Sequence, residues 1–100
     1  MPQLHLIVHK EVINMRLKTA RSPERENLQS VLGRINEVIQ NKQGVKELNG
    51  MPLFKALDLC AGYSEIVLYG LTRRLCLEMV SEYLTNAGYI VSMDIDGTTN

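Results

Sequence analysis

Tryptophan is missing from this chain, phenylalanine occurs once and tyrosine four times. The core of a 100-residue domain must therefore be built from Leu, Ile, Val and Met. Cysteine is equally scarce. Cys60 and Cys76 stand outside any CxxC pattern, which argues against a disulfide-stapled secreted domain and against a zinc site. Two thiols of this kind suit a reducing cytoplasm and read as small buried hydrophobes. Neither sign of charge prevails, since eleven basic residues meet eleven acidic ones. That balance is unlike a nucleic-acid clamp or a polybasic membrane anchor. No apolar run approaches the ~18 residues a membrane helix needs, and Met1-Pro2-Gln3 opens no signal sequence. Seven scattered glycines form neither a phosphate loop nor a dinucleotide fingerprint. No serine sits in GxSxG, and no flank activates a cysteine.

What is present is enough apolar surface to fold, with 45% hydrophobic residues against 22% charged. A single small domain spanning 1–100 is expected. Leu4, Leu6 and Val8 alternate with His5 and His9, and Ile13, Met15 and Leu17 alternate with Asn14, Arg16 and Lys18. Both runs have the period of half-buried strands, joined by a bulge or turn at Lys10-Glu11. Ile13 and Leu17 also fit a helix over 11–20, so two readings stand for that segment. His5 and His9 then share one side of a strand as an exposed or edge pair, without a third group to make a metal site.

Ser22-Pro23-Glu24 reads as a helix start, with hydroxyl, proline and acid in order. Leu28, Val31, Leu32, Ile35, Val38 and Ile39 continue it as one apolar stripe, and Gly44 supplies a left-handed stop. Residues 45–51 read as a connector containing the Asn49-Gly50 turn. A short helix over 53–61 ends at Gly62. A long helix from Ser64-Glu65 to Asn86 follows, with Gly88 as its stop, and a strand over 89–95 closes the chain before a polar tail. The expected fold is α+β: a small, largely antiparallel three-stranded sheet in the order β-β-α-α-α-β, covered on one face by two long helices and a short one. Five bases in residues 1–25 and four acids in 76–100 favour pairing the last strand with the one carrying Arg16 and Lys18.

Tyr89-Ile90-Val91-Ser92-Met93-Asp94-Ile95-Asp96-Gly97-Thr98 is a hydrophobic strand ending in Asp-x-Asp-Gly-Thr. It resembles the first motif of the haloacid-dehalogenase-like phosphohydrolases. The resemblance implies Asp94 as nucleophile and Asp96 as general acid/base, acting with magnesium on a phosphoryl group. It covers about ten residues. The family has Leu where this chain has Thr99, and its hydroxyl, lysine and second acidic motifs would have to follow. The reading without those partners is an exposed strand end, and a phosphohydrolase fragment ranks third among the functions weighed.

Arg73 falls inside the apolar arc of the expected long helix, while Arg74 points to its polar side. A guanidinium on a buried face is paired within the chain or holds an anion. Val67 and Leu71 sit on what becomes the polar side of the same helix, which leaves that face without obvious cover. The leading expectation is accordingly a small, non-enzymatic, cytoplasmic interaction protein: an inhibitor, adaptor or accessory factor, such as phages encode. It self-associates and docks a protein partner through Val67 and Leu71. The alternative is a binding protein for a phosphate-bearing small molecule such as a nucleotide, held by Arg73 or Arg74 with Tyr69 or Tyr83. No cofactor, metal or catalytic residue is expected. The basic segment Lys10–Arg25, with few interleaved aromatics, is a poor nucleic-acid surface.

Overall fold

The computed structural model describes residues 2–49, 53–72 and 77–99. Eight elements follow one another: β1 (Gln3–Val8), α1 (Lys10–Leu17), α2 (Glu24–Asn41), β2 (Val45–Leu48), α3 (Phe54–Cys60), β3 (Glu65–Gly70), α4 (Leu77–Asn86) and β4 (Ile90–Thr98). The four strands form one sheet in the order β2-β1-β3-β4. Every neighbouring pair is parallel. This replaces the expected antiparallel three-stranded sheet, and the reason lies in two segments.

The first is Ile66-Val67-Leu68-Tyr69, which the sequence reading placed inside a long helix. It is a strand, β3, preceded by Gly62 and ending in Gly70, and the described part of α4 is Leu77–Asn86. A strand in the middle of a parallel sheet is covered on both faces, so its sequence is apolar without interruption. A helix apolar all round gives the same signal, and periodicity alone does not separate the two. The second is Val45–Leu48, expected as a connector and found as edge strand β2, with His5↔Val45 and Val8↔Leu48 in register.

Residues 10–17 take the helical reading. His9 turns the chain with φ 56°, and α1 buries Ile13 while Met15 is 65% exposed. The apparent alternation of Ile13, Met15 and Leu17 was therefore no strand face. The expected pairing of the last strand with Arg16 and Lys18 falls with it, since β4 pairs β3.

Helix α2 matches its sequence stripe. Leu28, Val31, Ile35 and Val38 are buried and Ile39 at the end of the stripe is exposed, while Pro23 takes the cap position expected of Ser22, whose hydroxyl donates to the Glu26 carboxylate. Gly44, Gly62 and Gly88 take the positive φ expected of chain stops.

Helices cover both faces of the sheet. On one, Leu4, Leu6 and Val8 of β1 and Ile66 and Leu68 of β3 pack with Ala56 and Cys60 of α3 and Leu77, Val80 and Leu84 of α4. On the other, Ile7 and Tyr69 pack with Ile13 of α1 and the stripe of α2. Each aliphatic side chain hidden this way contributes roughly 1.5–3 kcal/mol. No helix among the described residues is long and apolar enough to cross a membrane.

Candidate functional site

Connections from β1 and β3 leave the sheet in opposite directions. β1 runs into α1 on one face, and β3 runs into α4 on the other. β1 and β3 are neighbours, so a crevice opens outside their carboxyl ends, where ligands of open parallel sheets bind. The two strands come close there: Val8 lies opposite Gly70 in the register. A Cβ on Gly70 would overlap the Val8 carbonyl oxygen.

His9 and Lys10 rise from β1 on one side of the crevice. On the other, Leu71 and Thr72 leave β3, and the Leu77 N–H returns to donate to the Leu71 carbonyl at 3.2 Å. Leu77 of α4 is thus tied to the end of β3. The end of β4 closes the same corner. The Thr99 N–H donates to the Gly70 carbonyl at 3.1 Å, and the Thr72 N–H donates to Thr99 Oγ1 at 3.1 Å. The Thr72 hydroxyl also donates to the Thr99 carbonyl.

Charge at this end is mixed, since Glu78 lies in the first turn of α4 and Glu47 and Asp96 are exposed near the ends of β2 and β4. Helix α2 ends beside the amino end of the sheet, where the His5 N–H donates to the Gly44 carbonyl. Its 18 residues rise about 27 Å, so its start and the connection from α1 lie toward the carboxyl ends. Residues 10–26 hold Lys10, Arg16, Lys18, Arg21 and Arg25 against Glu11, Glu24 and Glu26.

A second group of polar residues lies between the sheet and α2. The Tyr69 hydroxyl and His5 Nδ1 share a hydrogen bond of 2.7 Å, with both side chains buried. Beside them Arg34 of α2 donates from Nε (3.3 Å) and Nη2 (3.0 Å) to the two carboxylate oxygens of Asp94, and from Nη1 to Glu37 at 2.7 Å. Asp94 Oδ1 also accepts from the Gly97 N–H at 2.7 Å. Burial alone would raise the Asp94 pKa, but these hydrogen bonds from Arg34 and Gly97 hold it below the usual carboxylate range. The Tyr69 phenol is pushed up to about 12, first by burial and then by the negative Asp94. His5 is lowered by burial, with Lys42 and Arg34 adding to the effect and Asp94 opposing it.

His5 makes stability depend on pH in a defined direction. Its unfolded value is 6.5 and its folded value lower, so on acidification the unfolded chain takes the proton first. Stability contributed by neutral His5 is complete above that value and is lost as pH falls below it toward the folded pKa. Urea midpoints measured between pH 7.5 and pH 5 should decline in the wild type and decline less in H5Q. Equal slopes would remove His5 as the cause.

The expected site residues are distributed unevenly. Leu71 is 2% exposed and Val67 is half-buried, both packed in the cluster formed with α1 and α2. The bare helical face expected at Val67 and Leu71 is thus a strand and its exit, covered by the chain's own helices. Tyr69 is 1% exposed and turned inward to His5. Tyr83 lies on α4 beside a 220 Å³ groove shared with Leu53, Met79, Glu82 and Asn86. Arg73, Arg74 and Cys76 lie outside the described residues.

His5 is no edge residue, because β1 is central, and His9 has left the strand in a left-handed turn. Cys60 is fully buried, and burial raises its thiol to about 11. Among the described residues no three His, Cys, Asp or Glu side chains are placed to hold a metal ion. Sequence reasoning missed Thr72, Thr99 and Arg34. Nothing in their spacing marked them, because each acquires its partner through the parallel topology. No family model, curated protein or solved structure matches the chain.

Proposed function

We propose that this chain is a binding protein for a small molecule carrying a phosphate, seated in the crevice outside the carboxyl ends of β1 and β3. The observation that supports this most is the divergence of the two connections at adjacent parallel strands. The described part of α4 opens with Leu77, whose N–H is held by the Leu71 carbonyl, and with Glu78; the amino-terminal side of a helix is where an anion is favoured. The sequence between Thr72 and Leu77 supplies Arg73 and Arg74 to the same connection. Guanidinium groups give a phosphate two parallel hydrogen bonds where ammonium groups give a point charge.

The test is calorimetry and thermal denaturation with inorganic phosphate, pyrophosphate and adenosine monophosphate. At least one should raise the melting temperature and bind with micromolar affinity. Arg73→Ala with Arg74→Ala should weaken that binding by about tenfold or more, the equivalent of ~1.4 kcal/mol. Wild-type protein that binds none of the three at millimolar concentration would end this reading.

A second reading, self-association and docking onto a protein partner, is favoured by the outer edge of the sheet. Ile90 is 62% and Ile95 89% exposed on β4, an edge strand. Exposed apolar edges invite strand pairing between chains. Sedimentation of a strict monomer at high concentration would remove the self-associating form.

A further inference from the structure

The pairing of β3 with β4 is interrupted near its carboxyl end. Leu68 lies opposite Met93, but Gly70 lies opposite Thr98, so β3 advances two residues while β4 advances five. The excess is an outlooped segment whose outward residues, Ile95 and Asp96, are exposed. Its inner side is held at two points. Asp94 is gripped by Arg34 and by the Gly97 N–H. Gly97 lies against the Tyr69 ring, so close that a Cβ there would overlap Tyr69 Cδ2. From Gly97 the chain reaches Thr98 and then Thr99, which is hydrogen-bonded to Gly70 and Thr72. A continuous line of contacts thus runs from a side chain on α2 to the first residues of the β3–α4 connection.

We infer that Arg34 and Asp94 are positioning residues for the crevice: their pairing holds the β4 outloop against Tyr69, and the held outloop fixes Gly70 and Thr72 at the end of β3 through Thr99. The device can open without dissolving the sheet, because the regular ladder from Glu65↔Ile90 to Leu68↔Met93 lies before the outloop. Arg34 also has a second acceptor. Glu37, one turn along α2, binds Nη1 at 2.7 Å and retains the guanidinium when Asp94 lets go. The Arg34 and Asp94 side chains are 26% and 17% exposed, so salt and solvent reach the pair. The consequence for binding rests on the ligand site proposed above. The mechanical coupling does not.

Amide hydrogen exchange followed residue by residue by NMR tests the coupling in the free protein. R34Q should speed exchange about tenfold or more at Gly97, Thr99 and Thr72 while leaving Leu4 to Val8 unchanged. Faster exchange at Gly97 alone, or an equal rise through β1, would overturn it. E37Q leaves Arg34 to Asp94 and should preserve protection at Thr72 and Thr99; acceleration there would also overturn it. If R34Q does not fold, R34K keeps the charge, loses the fork and should accelerate the same three amides to a smaller degree. Pyrophosphate affinity is measured on the same variants, and R34Q should weaken it about fivefold. Wild type without affinity for phosphate probes would refute the ligand site while the exchange pattern still decided the coupling.

Discussion

Gly70→Ala should be the most damaging single methyl group that can be added to this protein. Gly70 has φ +139°, a region that residues with a Cβ seldom occupy. The added carbon would also meet the Val8 carbonyl oxygen, which is backbone of the central strand, and would lie 3.0 Å from Leu77 Cδ1. Neither the φ nor the clash relaxes by rotating a side chain. The two strains together should cost on the order of 3–5 kcal/mol, a large part of a small domain's total stability. The checking measurement is urea denaturation, with Gly33→Ala as comparison. Gly33 stands mid-way along α2 with open space around its missing Cβ. There alanine should stabilise by about 0.5–1 kcal/mol through helix propensity. A Gly70→Ala protein as stable as wild type would mean that β1 and β3 do not approach as closely as described, and the crevice would lose its floor.

The elements that could be read from the sequence are those whose signal is local. The α2 stripe, the short helix after residue 52 and the glycine stops all depend on neighbours within a few positions. The topology depends on telling a two-sided buried strand from an all-apolar helix, which the periodicity of residues 65–71 does not do; only Ile66, Val67, Tyr69 and the bounding glycines favour the strand. Once Val45–Leu48 and Glu65–Gly70 are strands, the order is β-α-α-β-α-β-α-β, and helical crossovers make parallel pairing natural. A helix over residues 65–71 is also what would leave Val67 and Leu71 on a bare apolar face. That face disappears for a physical reason: a strand between two neighbours is hidden by layers on both sides, and here those layers are α1 and α2 on one face and α3 and α4 on the other.

The candidate site was legible only as composition. The arginine pair at 73 and 74 stood out because cations are expensive inside an apolar segment. Asp94 stood out because carboxylates at a strand end suggest phosphoryl chemistry. In the folded chain both Asp94 oxygens are occupied by Arg34 and the Gly97 N–H. That engagement assigns the acid a structural task. Thr72 and Thr99 are separated by 27 positions and meet only because β4 lies beside β3. No spacing rule connects them.

Tyr69→Ala should be nearly as costly as Gly70→Ala, by a different route. The ring is 1% exposed, supports Gly97 and bonds to His5. Truncation leaves a cavity between β3 and α2 and should lose about 3–5 kcal/mol. Tyr69→Phe separates the two contributions. It keeps the ring beneath Gly97 and removes only the partner of His5 Nδ1, so it should cost ~1–2 kcal/mol. The same variant bears on function, because the sequence reading placed Tyr69 among ligand contacts whereas the fold turns it inward. Pyrophosphate affinity should therefore be unchanged in Tyr69→Phe, while the urea midpoint falls. The opposite pattern, an unchanged midpoint with lost affinity, would put the hydroxyl in the crevice and sink the inward assignment. If the midpoint falls alone, the phenol stabilises the scaffold on the α2 side of the sheet, and recognition is left to groups at the carboxyl ends of the strands.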